Sequence, residues 1–307
     1  MRNKRTAPRR AGPKALLVVA VLASAFALLA PGAAVQAQRA TRTSGPDQLV
    51  PLYDDTSASD WAAVCSQTNA AGEGSFVIAD VDAGAGPGTA PVPAYSTVID
   101  NCDSWGRAQV IGYVWTGYGE GGTASIPAIE AEVSDWYAFY PGHIGGIFFD
   151  GAADTVPGTG ASNVSFYQAL ASYVHKNWGN SEEVVLNYGA NPGSGWMFNS
   201  SNAKNANMVV VFEGSYDTTG ENPFYGWAQA SWELQYPASD FAALMYDTNS
   251  TATVAQPATA CAALEADHLG YLYVGQWYTQ LASYWPQFVA DCSGGPREAI
   301  SGLLRGH

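Results

Sequence analysis

The sequence predicts an α/β protein built as a single (β/α)8 TIM barrel behind a secretory leader. Three observations carry this. Eight short apolar, β-branched or aromatic runs each stop on a polar residue. Stretches of helical spacing lie between them, the alternation that gives parallel strands and right-handed crossovers. Without the leader the chain has about 270 residues, close to the ~250 usual for such a barrel. The rival architecture, an open doubly wound sheet, fits less well because eight strands are the number that closes the ring.

Residues 1–37 read as a signal peptide. Residues 1–14 hold six Lys/Arg and no acid, an apolar run extends from Ala15 to Ala30, and small residues lead to a cleavage point after Ala37. The run is about 16 residues, short for a membrane span. The expectation is therefore a secreted, extracellular protein, free of the membrane once the leader is cut. Residues 38–47 are polar and read as a linker, 48–292 as the barrel, and 293–307 as a C-terminal tail.

The predicted strands are LVPLYD (49–54), SFVIADVD (75–82), AQVIGYVWT (108–116), IGGIFFDG (144–151), EVVLNYG (183–189), MVVVFEGSY (208–216), FAALMYDT (241–248) and GYLYVGQ (270–276). Runs this short and this apolar fit strands buried on both faces. The predicted helices begin with Ser57 to Asn69, where Ser59 is the cap and Trp61 and Val64 face inward. Ser125 to Phe139 follows, with Ile126, Ile129, Val133 and Trp136 on one face. Ser162 to Trp178 has Phe166, Leu170, Tyr173 and Val174, and Ala255 to Asp267 and Leu281 to Cys292 complete the set. The helical signal is weakest after the second, fifth and sixth strands.

The leader takes 6 of the 13 Lys/Arg and none of the 27 acids, so the formal charge moves from −14 to −20. Such a surface repels phosphates and argues against nucleic acid as a partner. It suits a soluble exported protein, a monomer in solution, and would suit a cationic substrate. Cys65, Cys102, Cys261 and Cys292 form an even set, which reads as two disulfides in an exported chain. Four cysteines allow three pairings. On the barrel, Cys65 and Cys102 lie on consecutive outer helices, as do Cys261 and Cys292. Pairing neighbours would staple each end of the chain, at ~2–4 kcal/mol per bridge. No Cys-x-x-Cys pair or histidine cluster has metal spacing, so neither a metal nor a cofactor is expected.

In a β/α barrel the carboxyl ends of the strands carry the chemistry. Here they bring Tyr53, Asp54, Asp80, Asp82, Tyr113, Trp115, Asp150, Asn187, Tyr188, Glu213, Tyr216, Tyr246, Asp247, Gln276 and Trp277 to one rim, with Tyr118 in the loop after the third strand. Carboxylates and flat rings dominate and basic residues are almost absent. Rings stack on the C–H faces of sugars, while carboxylates and amides bind hydroxyls or amines, so the rim reads as a polysaccharide cleft. Cleaving a glycosidic bond needs two carboxyl groups. Asp150 and Glu213 each end an apolar strand, with one strand between them, and form the candidate pair. Gly117 to Gly122 matches Gly-x-Gly-x-x-Gly. Glu120 within it would repel phosphate, so it reads as a flexible loop over the cleft. No Gly-x-Ser-x-Gly or His-Glu-x-x-His motif occurs. Asn163, Asn199 and Asn249 open glycosylation sequons.

VPLY at 50–53, IGYVWTGYG at 111–119, GGIFFDG at 145–151, VLNYGANP at 185–192, VVFEGSY at 210–216 and GYLYV at 270–274 together resemble spherulin-4, the spherulation-specific family 4. The resemblance implies a (β/α)8 fold and kinship with glycoside hydrolases that cut α-1,4-linked galactosamine or N-acetylgalactosamine in microbial exopolysaccharides. It implies that Asp150 is the nucleophile and Glu213 the acid/base. One position departs: the family usually reads phenylalanine-aspartate-glutamate at the fourth strand, and Gly151 stands where that glutamate would be. The alternative expectation is then a carbohydrate-binding or cell-surface barrel that has lost turnover.

Overall fold

The computed structural model describes residues 46–66, 74–84, 86–105, 108–121, 124–193, 195, 198, 205–216, 227–246 and 267–292. The leader, most of the linker, the tail, Cys261, Asp247, Asn199, Asn249 and the helix expected from Ala255 lie outside the described residues.

Eight parallel strands close into a barrel in sequence order. They are β1 (Asp47–Tyr53), β2 (Ser75–Asp80), β3 (Ala108–Trp115), β4 (Ile144–Asp150), β5 (Glu183–Asn187), β6 (Met208–Ser215), β7 (Phe241–Tyr246) and β8 (Tyr271–Val274). β1 closes on β8 through the Asp47–Tyr271 and Gln48–Leu272 pairs. Asp47 thus belongs to the barrel and not to the linker. β2, β5 and β8 are buried along their whole length. Two-sided burial is why the runs read as continuously apolar instead of alternating.

Among the described residues, α1 (Ala58–Ser66), α2 (Pro93–Trp105), α3 (Ile126–Phe139), α4 (Val164–Trp178) and α5 (Trp285–Cys292) cover the barrel. Trp61 and Val64 face the core as expected. Ser57, not Ser59, caps α1, its hydroxyl accepting the Asp60 N–H at 3.4 Å. On α4 the core-facing aromatic is Tyr167, one residue beyond Phe166. α2 carries Cys102 as expected and falls where the helical signal is weak: its sequence, PAYSTVIDNCDSW, has few apolar residues, and Tyr95, Val98, Ile99 and Cys102 form its buried stripe. Between β6 and β7 the described residues form only two short 3-10 turns, Glu233–Gln235 and Ala238–Asp240.

Cys65 on α1 is bonded to Cys102 on α2, the neighbour pairing expected. Cys292 is also disulfide-bonded, to a partner outside the described residues. Gly112 lets a helix approach β3. A Cβ there would meet the Trp136 indole, which lies against the strand and donates its N–H to the Tyr113 carbonyl at 2.8 Å. Among the described residues no helix is long and apolar enough to cross a membrane.

Candidate active site

Side-chain alternation along a strand decides which residues reach the barrel mouth. Trp115 is level with Asp150, and Tyr113 with Phe148. Tyr113, Trp115, Phe148 and Asp150 therefore share the inner face, and Asp150 is the last inner residue of β4. Asn187 ends β5, and Glu213 lies near the end of β6.

These residues meet. Asn187 Nδ2 donates to Asp150 Oδ1 at 2.7 Å and to Glu213 Oε2 at 2.6 Å. The amide is held the right way round because its own Oδ1 accepts the Gly189 N–H at 3.0 Å, leaving the NH2 to face the acids. The two carboxylate oxygens share one nitrogen, so their separation cannot exceed the sum of those two bonds. Tyr113 donates its hydroxyl to Asp150 Oδ2 at 2.8 Å. Asp150 thus has both oxygens occupied by donors.

The two acids differ in surroundings. Burial pushes the Asp150 pKa up, and hydrogen bonds from Tyr113, the Gly151 N–H and Asn187 pull it back. Burial also pushes Glu213 up, and the charge on Asp150 pushes it further, against the pull of Asn187 and Tyr278. Hydrogen bonds to Asp150 favour its charged form, and a charge there disfavours a second charge on Glu213. The Tyr278 phenol faces Glu213 and favours its ionised form, and among the described residues its oxygen makes no hydrogen bond of ordinary geometry.

Around the pair lies a cavity of about 290 Å³, whose lining includes Trp115, Tyr118, Tyr188, Gly189 and Tyr246. A larger cavity, about 460 Å³, opens at the opposite end among strand starts such as Ser75, Gln109 and Ile144. It contains neither Asp150 nor Glu213, so the smaller one is the candidate site.

The other rim residues divide. Tyr53 packs edge-to-face on Tyr113 and on Tyr278, at 5.4 Å each, and its hydroxyl pKa is raised by burial and then by Asp150 and Glu213. It forms part of the floor beneath the acids. Asp80 does not reach the cleft: its carboxylate accepts the Gly84 and Gly86 N–H groups and ties down the loop after β2. Asp54 and Asp82 are exposed. Tyr216 packs against the core, and Tyr216 and Gln276 are absent from the cavity lining. Asn163 is buried, with its amide committed to the Tyr118 and Ala153 carbonyls, which removes it as a glycosylation site. The same bond anchors the glycine loop expected to be flexible.

Two participants were not legible, nor was the packing role of a third position, Gly151. Tyr278 lies four residues past β8, beyond the strand-end window, and reaches the site because its carbonyl accepts the Tyr53 N–H at 2.8 Å. Thr116 donates to the Asp150 and Gly151 carbonyls at 2.7 and 2.8 Å, a role that a threonine after a strand does not announce. Gly151 has φ +65°, and a Cβ there would stand 2.6 Å from the Trp115 ring. The absent side chain at 151 is thus tied to the seat of Trp115.

The profile of spherulation-specific family 4 matches residues 48–292. Spherulin-4 of Physarum polycephalum is 29% identical over 184 residues, which cover 60% of this chain and 49% of that protein. The chain thus spans about half the length of this curated relative. Among solved structures, Aspergillus clavatus Sph3 in complex with GalNAc superposes with a TM-score of 0.65 at 19% identity, covering 82% of this chain and 99% of that one. The chitinase RmChi1 from Rhizomucor miehei gives 0.51 at 10% identity, covering 81% and 100%. At these identities the two likenesses show the fold.

Proposed function

The chain belongs to spherulation-specific family 4, and on that footing we propose that it is a secreted glycoside hydrolase acting on an amino-sugar exopolysaccharide of the α-1,4-galactosamine or N-acetylgalactosamine type. The observation that carries the reading is the Asn187 amide joined at once to Asp150 and Glu213 at the barrel mouth. The GalNAc in the Sph3 complex supports the choice of sugar.

In this reading Asp150 attacks the anomeric carbon as the glycosidic C–O bond breaks, and the Glu213 proton passes to the leaving oxygen. Glu213, now ionised, takes a proton from water. That water attacks the anomeric carbon, and the ester bond to Asp150 breaks. The roles are those the family resemblance implies, and they are supported by three hydrogen bonds that favour ionised Asp150 and by burial and the Asp150 charge, which favour a protonated Glu213. The nearest oxygens lie within the ~5–5.5 Å of a retaining pair and short of the ~6.5–9.5 Å that leaves room for an inverting water. Retention of anomeric configuration is the outcome this favours.

The test is release of reducing ends from N-acetylgalactosamine-rich exopolysaccharide by the wild type, Asp150→Asn and Glu213→Gln. A loss of about 10³-fold in both variants supports the reading. Equal release by all three overturns it.

A further inference from the structure

We propose that Trp115 and Tyr118 form a preassembled stacking subsite for the C–H face of a pyranose ring next to Asp150, and that Gly151 is the residue that permits it. The inference rests on the glycosidase reading and adds to it which surface grips the sugar and which residue makes room for that surface.

Trp115 and Tyr118 are 37% and 43% exposed, and both line the cavity that holds the two acids. Their rings meet edge-to-face at 5.2 Å and 82°, a contact that occupies at most one face of either ring and leaves the rest of their exposed surface to the cleft they line. The loop beneath them is fixed. Tyr118 has φ +55° and donates its N–H to the Gly151 carbonyl at 2.9 Å. The buried Asn163 amide holds the Tyr118 carbonyl at 2.8 Å, and Thr116 is fastened to the backbone at Asp150 and Gly151. Two exposed rings held this firmly are ordered before any ligand arrives, which lowers the entropy cost of binding. Two exposed rings beside Asp150, Asn187 and Glu213 in a mostly polar cleft match a sugar, which offers a C–H face together with hydroxyls.

Gly151 decides whether the indole can sit there. A Cβ would fall 2.6 and 2.7 Å from Trp115 Cζ3 and Cη2, and φ +65° strains any L side chain. A side chain at 151 would evict the ring. Gly151→Glu therefore exchanges a stacking face for a third carboxylate and weakens sugar binding instead of restoring a missing function.

Two measurements test this. One is steady-state cleavage of N-acetylgalactosamine oligosaccharides. The other is calorimetric binding of the same oligosaccharides in the Glu213→Gln background. Trp115→Ala should raise KM and Kd about 10-fold or more with kcat within about 3-fold. Trp115→Phe should recover most of the affinity. Gly151→Ala should reproduce the Trp115→Ala defect, and the double variant should be no worse than Trp115→Ala alone. If Gly151→Ala does not fold, Trp115→Phe and Tyr118→Ala carry the comparison. Unchanged Kd in Trp115→Ala, or additive losses in the double variant, overturns the subsite. Binding that depends on Trp115 in a protein that never cleaves would leave the subsite standing and remove the glycosidase reading. Cleavage lost in Glu213→Gln but indifferent to Trp115 would do the reverse.

Discussion

Asn187 holds Asp150 and Glu213 with the two hydrogens of one amide nitrogen, at 2.7 and 2.6 Å. One residue therefore sets both the spacing of the acids and the polarity each one meets. Hydrogen bonds to charged groups are worth ~1.5–3 kcal/mol. Asn187→Ala should lower kcat about 10- to 100-fold. It should also move both limbs of the pH–rate profile upward, because Asn187 pulls both carboxyl pKa values down. Asn187→Asp should be worse, since it adds a third carboxylate. A pH–rate profile of Asn187→Ala identical to wild type would contradict this.

Of the two acids, Asp150 is the one that accepts the Tyr113 hydroxyl. That bond favours the ionised carboxylate. Tyr113→Phe should move the acid limb to higher pH, leave the alkaline limb where it was, and lower kcat about 10-fold. Movement of the alkaline limb instead would reverse the assignment of nucleophile and acid.

Glu213 must keep its proton for the first step, and its pKa is raised by burial and by Asp150. The wild-type alkaline limb should lie above an ordinary glutamate value. Tyr278→Phe should push it higher still, because the phenol helps the ionised form. An unshifted limb in Tyr278→Phe would remove Tyr278 from the site.

Asp80 gives a stability prediction with a definite sign. Burial raises its pKa from 3.8 to about 6, against the opposing bonds from the loop backbone. The folded state thus holds this proton more tightly than the unfolded chain. Its contribution is fully present below pH 3.8, falls as pH rises from there to about 6, and is flat above that. Thermal melts across that window should show a decline that Asp80→Asn lessens. An equal slope in wild type and variant would refute the assignment.

The Cys65–Cys102 bridge joins the first two helices. Replacing both with alanine should cost ~2–4 kcal/mol and leave the acid–acid geometry in place, so thermal midpoint should fall while kcat at 25 °C holds. An unchanged midpoint would show the bridge to be idle.

The barrel was readable because strands buried on both faces leave uninterrupted apolar runs, and all eight stand where those runs lie. α2 was obscured because its buried stripe is diluted by Asp, Asn and Ser. At the site, strand-end position identified Asp150, Glu213, Asn187, Tyr113 and Trp115. It could not tell a carboxylate facing the cleft from Asp80, whose partners are backbone N–H groups of the next loop. Nor could it find Tyr278, which arrives by a turn after β8, or the meaning of Gly151, which depends on a ring 36 positions earlier in the chain.

The most direct measurement is the anomeric configuration of the first product released from an N-acetylgalactosamine oligosaccharide, followed by NMR and compared between wild type, Asp150→Asn and Glu213→Gln. Release of product with retained configuration by wild type, lost in both variants, is the result predicted by two acids sharing the Asn187 amide. Inverted product, or release that survives either substitution, would contradict it.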